Sequence, residues 1–443
     1  MLEKLSSAGK WWKVIAANVV LLVLAVSEWN YYDVRYFVNY WFEDYFLKGR
    51  FFEIYSGPLR AKVAYPPLAI YFFVIPYYVA WSLSLNIYLT RLIVKLPLLA
   101  AFNGVYYILN KRYGGRAGDL WLLNAIGYIV VAEYQFDLIA TLLLAVGFLY
   151  AAEKKYTLSA VAIALSALVK QVLAILVLFP IISQLKEEGY RSAFKSLSIV
   201  LATVLLISAP FILVDPWAFI EKTTFFHAVR YPQNYSLWAL PLYMAWYDLN
   251  ALPQWITWAW IIPFVAAVLA VTVAYYVNPP VNEDMLLGYF TIQLLLVIML
   301  NKVGNINYYT WVSPFLAVFL ARNIRRVSYR VLALYMLTPV LTGVITGMLV
   351  EFPATVIGGD ILIVEDQAWI SAEQRVILSY GVDSLLYKLV IYLRSSPHMR
   401  SLFELLYEGR SVTMIISTLL YNMFLAYMVV LTARSIRESS TRG

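Results

Sequence analysis

The chain has 443 residues, of which 62% are hydrophobic and only 14% are charged. Soluble domains carry roughly 25% charged residues, so this composition excludes a water-soluble globule. The sequence contains no cysteine, which excludes disulfides and thiolate metal sites, and its two histidines are too few for a multi-histidine centre. The net charge of +8 does not require a nucleic-acid partner, because basic residues that border hydrophobic spans act as topology signals.

Apolar runs that are long enough to cross a bilayer recur along the chain, where one crossing takes about 20 residues. They predict an all-α polytopic membrane protein with about 12 transmembrane helices, within a range of 11 to 13. The predicted spans are residues 12 to 28, 90 to 110, 119 to 133, 137 to 152, 157 to 170, 171 to 185, 196 to 214, 254 to 277, 284 to 302, 307 to 321, 331 to 350 and 411 to 433. Several spans are short, so we expect bent helices or helix ends that line a cavity.

Basic residues cluster between these spans, and the positive-inside rule places the clusters and both termini in the cytoplasm. The clusters are Lys4/Lys10/Lys13, Lys111/Arg112/Arg116, Lys154/Lys155, Lys186/Arg191/Lys195, Arg322/Arg325/Arg326/Arg330 and Arg434/Arg437/Arg442. No cleavage site follows the first apolar run, so we interpret it as the first membrane helix.

This topology divides the chain into a transmembrane module (1 to 350), an outward helical cap (351 to 410), and a last span with a basic tail (411 to 443). The module has outward loops at 28 to 89 and 215 to 253. A single crossing at 65 to 83 would put the sequence KRYGGR outside, so we expect an interfacial or re-entrant segment there, with a hairpin as the alternative.

The first outward segment combines an apolar stripe with acidic residues. The stripe has helical spacing and comprises Val34, Phe37, Val38, Trp41 and Tyr45. The opposite side carries Asp33, Tyr40 and Asp44, so two carboxylates and a phenol could line one surface near the membrane boundary. The alternative is a solvated face.

Several motifs then follow in a characteristic order. They are Asp33, a tyrosine-rich helix, Gly49, Tyr55, YPPLA from Tyr65, Arg91, KRYGG, EYQFD, ALSALVKQVLAILVLFP, RYPQNYSLW and NINYYTWVSPFLAV. Over residues 12 to 321 this succession resembles the GT-C superfamily of membrane glycosyltransferases, with glycosyltransferase family 87 and the GPI-mannosyltransferases as the branches it resembles most. The turn EYQFD differs from the Gly-Gln of many relatives, and NINYY lacks a histidine that is frequent there.

The resemblance implies transfer of a sugar, usually mannose, from a dolichyl or other polyprenyl phosphate to an acceptor hydroxyl on the extracytoplasmic side. The acceptor would be a glycan, a lipid or a protein. Such a reaction needs a base for the hydroxyl proton but no acid for the phosphate leaving group, which is already anionic. Asp33 is the candidate base, and one displacement would invert the anomeric centre.

A donor phosphate also needs cations at the membrane boundary. Lys170 interrupts an otherwise uncharged stretch and is a phosphate-binding candidate, with snorkelling to the interface as the alternative. Arg91 and Arg230 are candidates for phosphate contact or for an ion pair with Asp33, Glu43 or Asp44. Lys95 is interpreted as an interfacial anchor.

Polar and aromatic side chains that could bind the sugar or the acceptor gather in the outward turns and loops. The candidates are Asp44, Tyr65, Gln135, Asp137, His227, Gln233, Asn234, Asn307 and Tyr308. No metal or cofactor is expected beyond the lipid-linked donor, although the pairs Glu43/Asp44 and Glu365/Asp366 leave a divalent metal open.

Two other functions remain open from the sequence. A transporter or lipid flippase would have inverted repeats and charges near the bilayer midplane, and a non-catalytic scaffold would dock partners through 351 to 410. The WWDYG signature of oligosaccharyltransferases is absent from the sequence. We therefore expect an enzyme.

Overall fold

The computed structural model describes residues 2–29, 31–57, 64–226, 231–246, 248, 251–323, 329–345 and 381–440. These residues are almost entirely helical, which confirms the predicted all-α class. The α-helices of the first half are α1 (Leu2–Ser27), α2 (Tyr31–Tyr36), α3 (Pro67–Ser82), α4 (Ile87–Tyr113), α5 (Gly115–Leu122), α6 (Ala125–Glu133), α7 (Asp137–Ala152), α8 (Tyr156–Ala167), α9 (Leu178–Glu187) and α10 (Tyr190–Ile212). Those of the second half are α11 (Pro216–Ile220), α12 (Leu240–Met244), α13 (Ile261–Val277), α14 (Glu283–Leu300), α15 (Tyr309–Asn323), α16 (Tyr329–Pro339), α17 (Leu385–Ser395), α18 (Pro397–Glu408) and α19 (Arg410–Ser440).

Within the described residues, five helical segments are long and apolar enough to cross a membrane. They are Ile87–Tyr113, Tyr190–Ile212, Gln254–Val277, Glu283–Leu300 and Arg410–Glu438. Shorter apolar helices occupy other predicted spans, among them Asp137–Ala152 and Tyr156–Ala167. The chain is therefore a polytopic helical membrane protein, while the number of 12 crossings stays a prediction.

Ion pairs join the basic clusters at a common end of the bundle, which we call the Lys13 end. Lys13 pairs with Asp119, and Glu283 pairs with both Arg112 and Arg322. The hydrogen bond from Lys155, with the charge of Arg112 as a smaller contribution, holds the pKa of the Glu153 carboxyl below its ordinary value, so the α7–α8 turn lies at this end too. Described members of four of the six clusters thus share one end, as the positive-inside rule requires, and its cytoplasmic location stays a prediction.

Helix α3 lies at the opposite end, which we call the Asp33 end. Near its start, the Leu68 amide donates to the Leu168 carbonyl just beyond α8. Its last residue is followed by a short connection to α4, and Arg91 of α4 contacts the carbonyl of Ser27 at the end of α1. The 16 residues of α3 span about 24 Å, less than the hydrocarbon core. This geometry fits the interfacial or re-entrant interpretation, and because α3 is one continuous helix the hairpin alternative is wrong.

Some predicted single helices are interrupted. The span predicted at 119 to 133 breaks at Asn124, whose side chain accepts a hydrogen bond from the Ile126 amide and caps α6. The span predicted at 171 to 185 begins as a 3-10 helix, Gln171–Val177, before α9. Further 3-10 helices are Phe51–Glu53, Leu237–Ala239, Gln254–Thr257 and Ile306–Tyr308. Each break changes the direction of side chains beside the Asp33 end or within the bundle.

Residues Phe37–Phe46 form a π-helix, and Glu221–Phe225 and Val340–Ile345 do so as well. The predicted stripe is largely confirmed, since Val34, Phe37, Trp41 and Tyr45 are buried. The shared acidic face is wrong, because the i→i+5 bonding of a π-helix moves residues off the α-helical positions. Tyr40 is buried against Tyr45, and Asp44 is exposed in an ion pair with Lys48.

A two-residue parallel pairing was not predicted from the sequence. Strand β1 (Gln233–Asn234) pairs with β2 (Val303–Gly304) and so joins two loops that are far apart in the sequence. A Cβ atom at Gly304 would lie 2.1 Å from the Ser236 amide nitrogen, so the close approach of these backbones requires glycine.

Candidate functional site

Asp33 is held by an amide from a distant part of the chain. The Nε2 of Gln135 donates to Oδ2 of Asp33 over 2.9 Å, and Gln135 is 8% exposed. Tyr134 adopts a left-handed conformation (φ 56°) that ends α6 and turns the chain toward α7. The Gln135 amide fixes the orientation of this carboxylate, and a carboxylate is a group that can accept a proton.

Lys170 and Asp137 form an ion pair close by. Nζ of Lys170 lies 3.2 Å from Oδ2 of Asp137, whose side chain is fully buried at the first residue of α7. Neither Asp137 oxygen accepts a hydrogen bond from the part of the chain that the structure describes. The positive end of the helix dipole and Lys170 therefore balance this carboxylate. Lys170 itself precedes the 3-10 helix in an extended conformation, where α8 has ended.

Two aromatic rings flank the Lys170 ammonium. Its Nζ lies 5.1 Å from the ring centre of Tyr65 and 5.7 Å from that of Tyr308, both within the range of cation–π attraction. Tyr308 in turn stacks on the buried Trp311, with ring centres 4.2 Å apart. The ammonium is thus held between aromatic faces while 11% of its side chain stays exposed.

Tyr65 links the carboxylates to the cation. Its phenol lies within electrostatic range of Asp33, Asp137 and Lys170, and the Tyr55 hydroxyl donates to its backbone carbonyl over 2.7 Å. Burial raises the pKa of the Tyr65 phenol above its ordinary value. Because the phenol stays protonated at neutral pH, Asp33 is the better proton acceptor in this cluster.

The two polar loops that the sequence singled out meet in the structure. The Asn234 side chain donates to Oδ1 of Asn305, and Tyr243 donates to the Asn234 carbonyl. Gln233 pairs with Val303 through the β1–β2 strands. Asn307 is buried, and its Oδ1 has no hydrogen-bond partner among the described residues. Asn307 adjoins Tyr308, so this second polar group continues from the Lys170 cluster.

Arg91 lies elsewhere and has other partners. It is fully buried, donates to the Ser27 carbonyl over 3.1 Å, and pairs with Asp383 over 3.0 Å. The predicted alternative of an ion pair with Asp33, Glu43 or Asp44 is therefore wrong in its partner, because the chain returns Asp383 to the end of α1. A phosphate contact by Arg91 stays a prediction, with the guanidinium already engaged.

Lys95 caps helix ends inside the protein. Its Nζ donates to the carbonyls of Leu24, Glu28 and Ala132, at the ends of α1 and α6. It is fully buried, so the interpretation as an interfacial anchor is wrong. The carbonyls that a helix end leaves unbonded are what draw the ammonium inward.

Some predicted site residues lie outside the described residues, namely His227, Arg230 and the pair Glu365/Asp366. Within the described ranges, no group of three or more histidine, aspartate or glutamate side chains converges on a point where a metal could sit. Sequence reasoning missed Gln171 and Lys222, which bond to backbone carbonyls beside the cluster. The position of Gln171 next to Lys170 was the one available signal.

Comparison with solved structures gives a distant likeness. No protein-family profile matches the chain, and no curated protein matches it. The chain is similar to the crystal structure of ArnT from Cupriavidus metallidurans bound to undecaprenyl phosphate, with 15% sequence identity and a TM-score of 0.45. The match covers 97% of this chain and 77% of that chain. A TM-score this low does not support an inference about function. The function is therefore inferred from the geometry of the site.

Proposed function

We propose that the chain is a membrane glycosyltransferase of the GT-C type. It transfers a hexose from a polyprenyl or dolichyl phosphate to an acceptor hydroxyl, and mannose is the first candidate for the hexose. One observation carries the proposal. The carboxylate of Asp33, which the Gln135 amide holds, and the ammonium of Lys170 both border the phenol of Tyr65. The proposed displacement needs a base and a cation near each other, and these two groups flank one phenol.

In the proposed step the acceptor oxygen attacks the anomeric carbon from the face opposite the phosphate. Its proton passes to Asp33, and the bond between the anomeric carbon and the phosphate oxygen breaks, leaving the electron pair on the phosphate. One displacement inverts the anomeric centre. The leaving phosphate is already anionic near neutral pH and needs no acid, since its second pKa is about 6.

Lys170 would bind the donor phosphate, which is anionic both before and after the bond to the sugar breaks. An ammonium has three N–H donors, so the contact with Asp137 leaves donors for a phosphate oxygen. The rings of Tyr65 and Tyr308 hold the ammonium in place, and Asn307 offers a buried acceptor for a sugar hydroxyl. The isoprenoid tail would lie in lipid beside the bundle.

The position of the charged cluster favours a transferase over a transporter or flippase. Transport sites lie near the bilayer midplane, between repeats. Asp137 begins α7 and Lys170 follows the end of α8, so the cluster lies where helices end. We place this end on the extracytoplasmic side, because the basic clusters gather at the opposite end.

The test is transfer by the purified protein in lipid nanodiscs, with dolichyl-phosphate mannose and dolichyl-phosphate glucose as donors and a panel of glycan, lipid and peptide acceptors. Asp33→Asn should lower kcat by about 10² to 10⁴, the contribution of a general base, while the unfolding temperature stays unchanged. Glu53→Gln is the control. It neutralises an exposed carboxylate in the same outward segment, and that carboxylate pairs with Arg50.

Full turnover by Asp33→Asn would remove Asp33 from the mechanism. If the wild-type protein transfers no sugar from any donor yet moves labelled polyprenyl phosphate across vesicles, the flippase alternative replaces the proposal.

A further inference from the structure

Gln171 joins three separate segments through one amide nitrogen. Its Nε2 lies 3.3 Å from the carbonyl oxygen of Ala64 and 3.2 Å from that of Thr223. Both Ala64 and Thr223 are about nine-tenths buried, so their carbonyls depend on protein donors. The side chain thereby connects the residue before Tyr65, the residue after Lys170 and the π-helix Glu221–Phe225.

The neighbours of Gln171 make this junction matter for the site. Ala64 precedes Tyr65 and Gln171 follows Lys170, so the hydrogen bond between them spans the gap across which the ammonium faces the phenol ring. A second tie runs in parallel, from the Leu68 amide to the Leu168 carbonyl. The relative position of Tyr65 and Lys170 is therefore set by backbone contacts, not by their own attraction alone.

The π-helix Glu221–Phe225 holds the same region from the other side. Lys222 is 4% exposed and donates to the carbonyl of Gly57. Gly57 has no room for a side chain, because a Cβ atom there would lie 1.7 Å from the Tyr40 hydroxyl oxygen. The second outward segment thus bonds to the first at Gly57 directly and at Ala64 through Gln171.

We infer that Gln171 is a positioning residue, which holds the Tyr65 ring against the Lys170 ammonium and couples both to the Glu221–Phe225 turn of the second outward segment. This inference rests on the proposed function for its kinetic consequence, but its geometric part does not. An amide suits the role because one nitrogen supplies two N–H groups, one for each carbonyl. A carboxylate of the same shape supplies none.

The kinetic test compares Gln171→Leu and Gln171→Glu with wild type. Because a misplaced cation weakens phosphate binding in the ground state and the transition state alike, the KM for the lipid-phosphate donor should rise about tenfold while kcat and the acceptor KM change little. Gln184→Leu is the matched control. Gln184 lies in α9, which directly follows the 3-10 helix that Gln171 begins, and bonds Glu188 over 2.8 Å; its substitution should lower stability without changing the donor KM.

The geometric test uses the absence of cysteine from the sequence. With Ala64→Cys and Thr223→Cys introduced together, mild oxidation should link the two thiols directly as a disulfide in otherwise wild-type protein, because both residues contact the same Gln171 nitrogen. Adding Gln171→Leu should slow that linkage severalfold, whereas Gln184→Leu should leave it unchanged. This measurement does not depend on transferase activity and requires only folded protein.

Equal linkage rates with and without Gln171→Leu would overturn the inference, as would slower linkage together with an unchanged donor KM. A wild-type protein that transfers no sugar would refute the proposed function instead, and the linkage rates would still decide whether Gln171 holds the segments together.

Discussion

Lys95 and Lys170 both place an ammonium inside the protein, and different groups balance the two charges. Lys95 is fully buried among three backbone carbonyls at the ends of α1 and α6. Lys170 faces one carboxylate and two aromatic rings, and part of its side chain stays exposed. The three N–H groups of Lys95 all bind carbonyls, so this ammonium only holds helix ends together. The ammonium of Lys170 keeps N–H donors and an exposed side with which it can bind a ligand. Burial alone does not separate the two roles.

The sharpest difference should appear on removal of Lys170. Lys170→Met should raise the donor KM by about a hundredfold or more, but it also leaves Asp137 buried without its cation, at a cost of about 3–5 kcal/mol. The double variant Lys170→Met/Asp137→Asn removes both charges and should recover most of that stability. Steady-state kinetics and thermal unfolding of both variants separate the two effects.

Recovery of donor binding in the double variant would show that Lys170 serves only to neutralise Asp137. The comparison between the two lysines would then fail, because both would be structural.

Lys95→Met should lower the stability of the protein without changing donor binding at the site. It removes the donor for three helix-end carbonyls, and each buried unsatisfied carbonyl costs about 1–3 kcal/mol. We expect a clearly lower unfolding temperature, with the donor KM of the folded fraction near that of wild type. A donor KM that rises as much as in Lys170→Met would contradict the assignment of a structural role to Lys95.

A smaller effect is expected at Glu28, which contacts the same junction. Its Oε1 accepts the amide of Leu385 over 2.8 Å and so holds the start of α17 beside the end of α1. Glu28→Gln keeps an acceptor but loses the charge that the helix dipole favours, which is worth about 0.3–1 kcal/mol. Hydrogen exchange at the Leu385 and Leu386 amides should quicken a fewfold.

The control is Glu404→Gln, which neutralises an exposed partner of Arg400 in α18. Equal exchange in both variants would show that the Glu28 charge does not hold α17.

Sequence reasoning located many of the helices, because apolar runs of sufficient length predict them from local hydrophobicity. The span predicted at 137 to 152 is α7 itself, and the prediction of an apolar stripe from Val34 was largely confirmed. It missed the π-helix Phe37–Phe46, because hydrophobic spacing does not report how the hydrogen bonds slip from i+4 to i+5. The shared face of Asp33 and Asp44 failed for that reason.

The candidate site divides in the same way. Asp33, Tyr65, Gln135, Asp137 and Lys170 were all named from the sequence, and the structure brings them together. Their roles in sugar transfer remain proposals. The partners of Arg91 and Lys95 could not be predicted. The sequence shows that each charge lies in an apolar run, but it does not show which distant carbonyl or carboxylate will bind that charge.

The sequence by itself determined that this chain is a helical membrane protein, where many of its apolar helices lie and which polar residues are costly to bury, since these follow from composition and local spacing. Only the tertiary structure decided which buried charges satisfy one another. That outcome depends on contacts between segments far apart in the chain, such as Gln135 with Asp33 and Asp383 with Arg91.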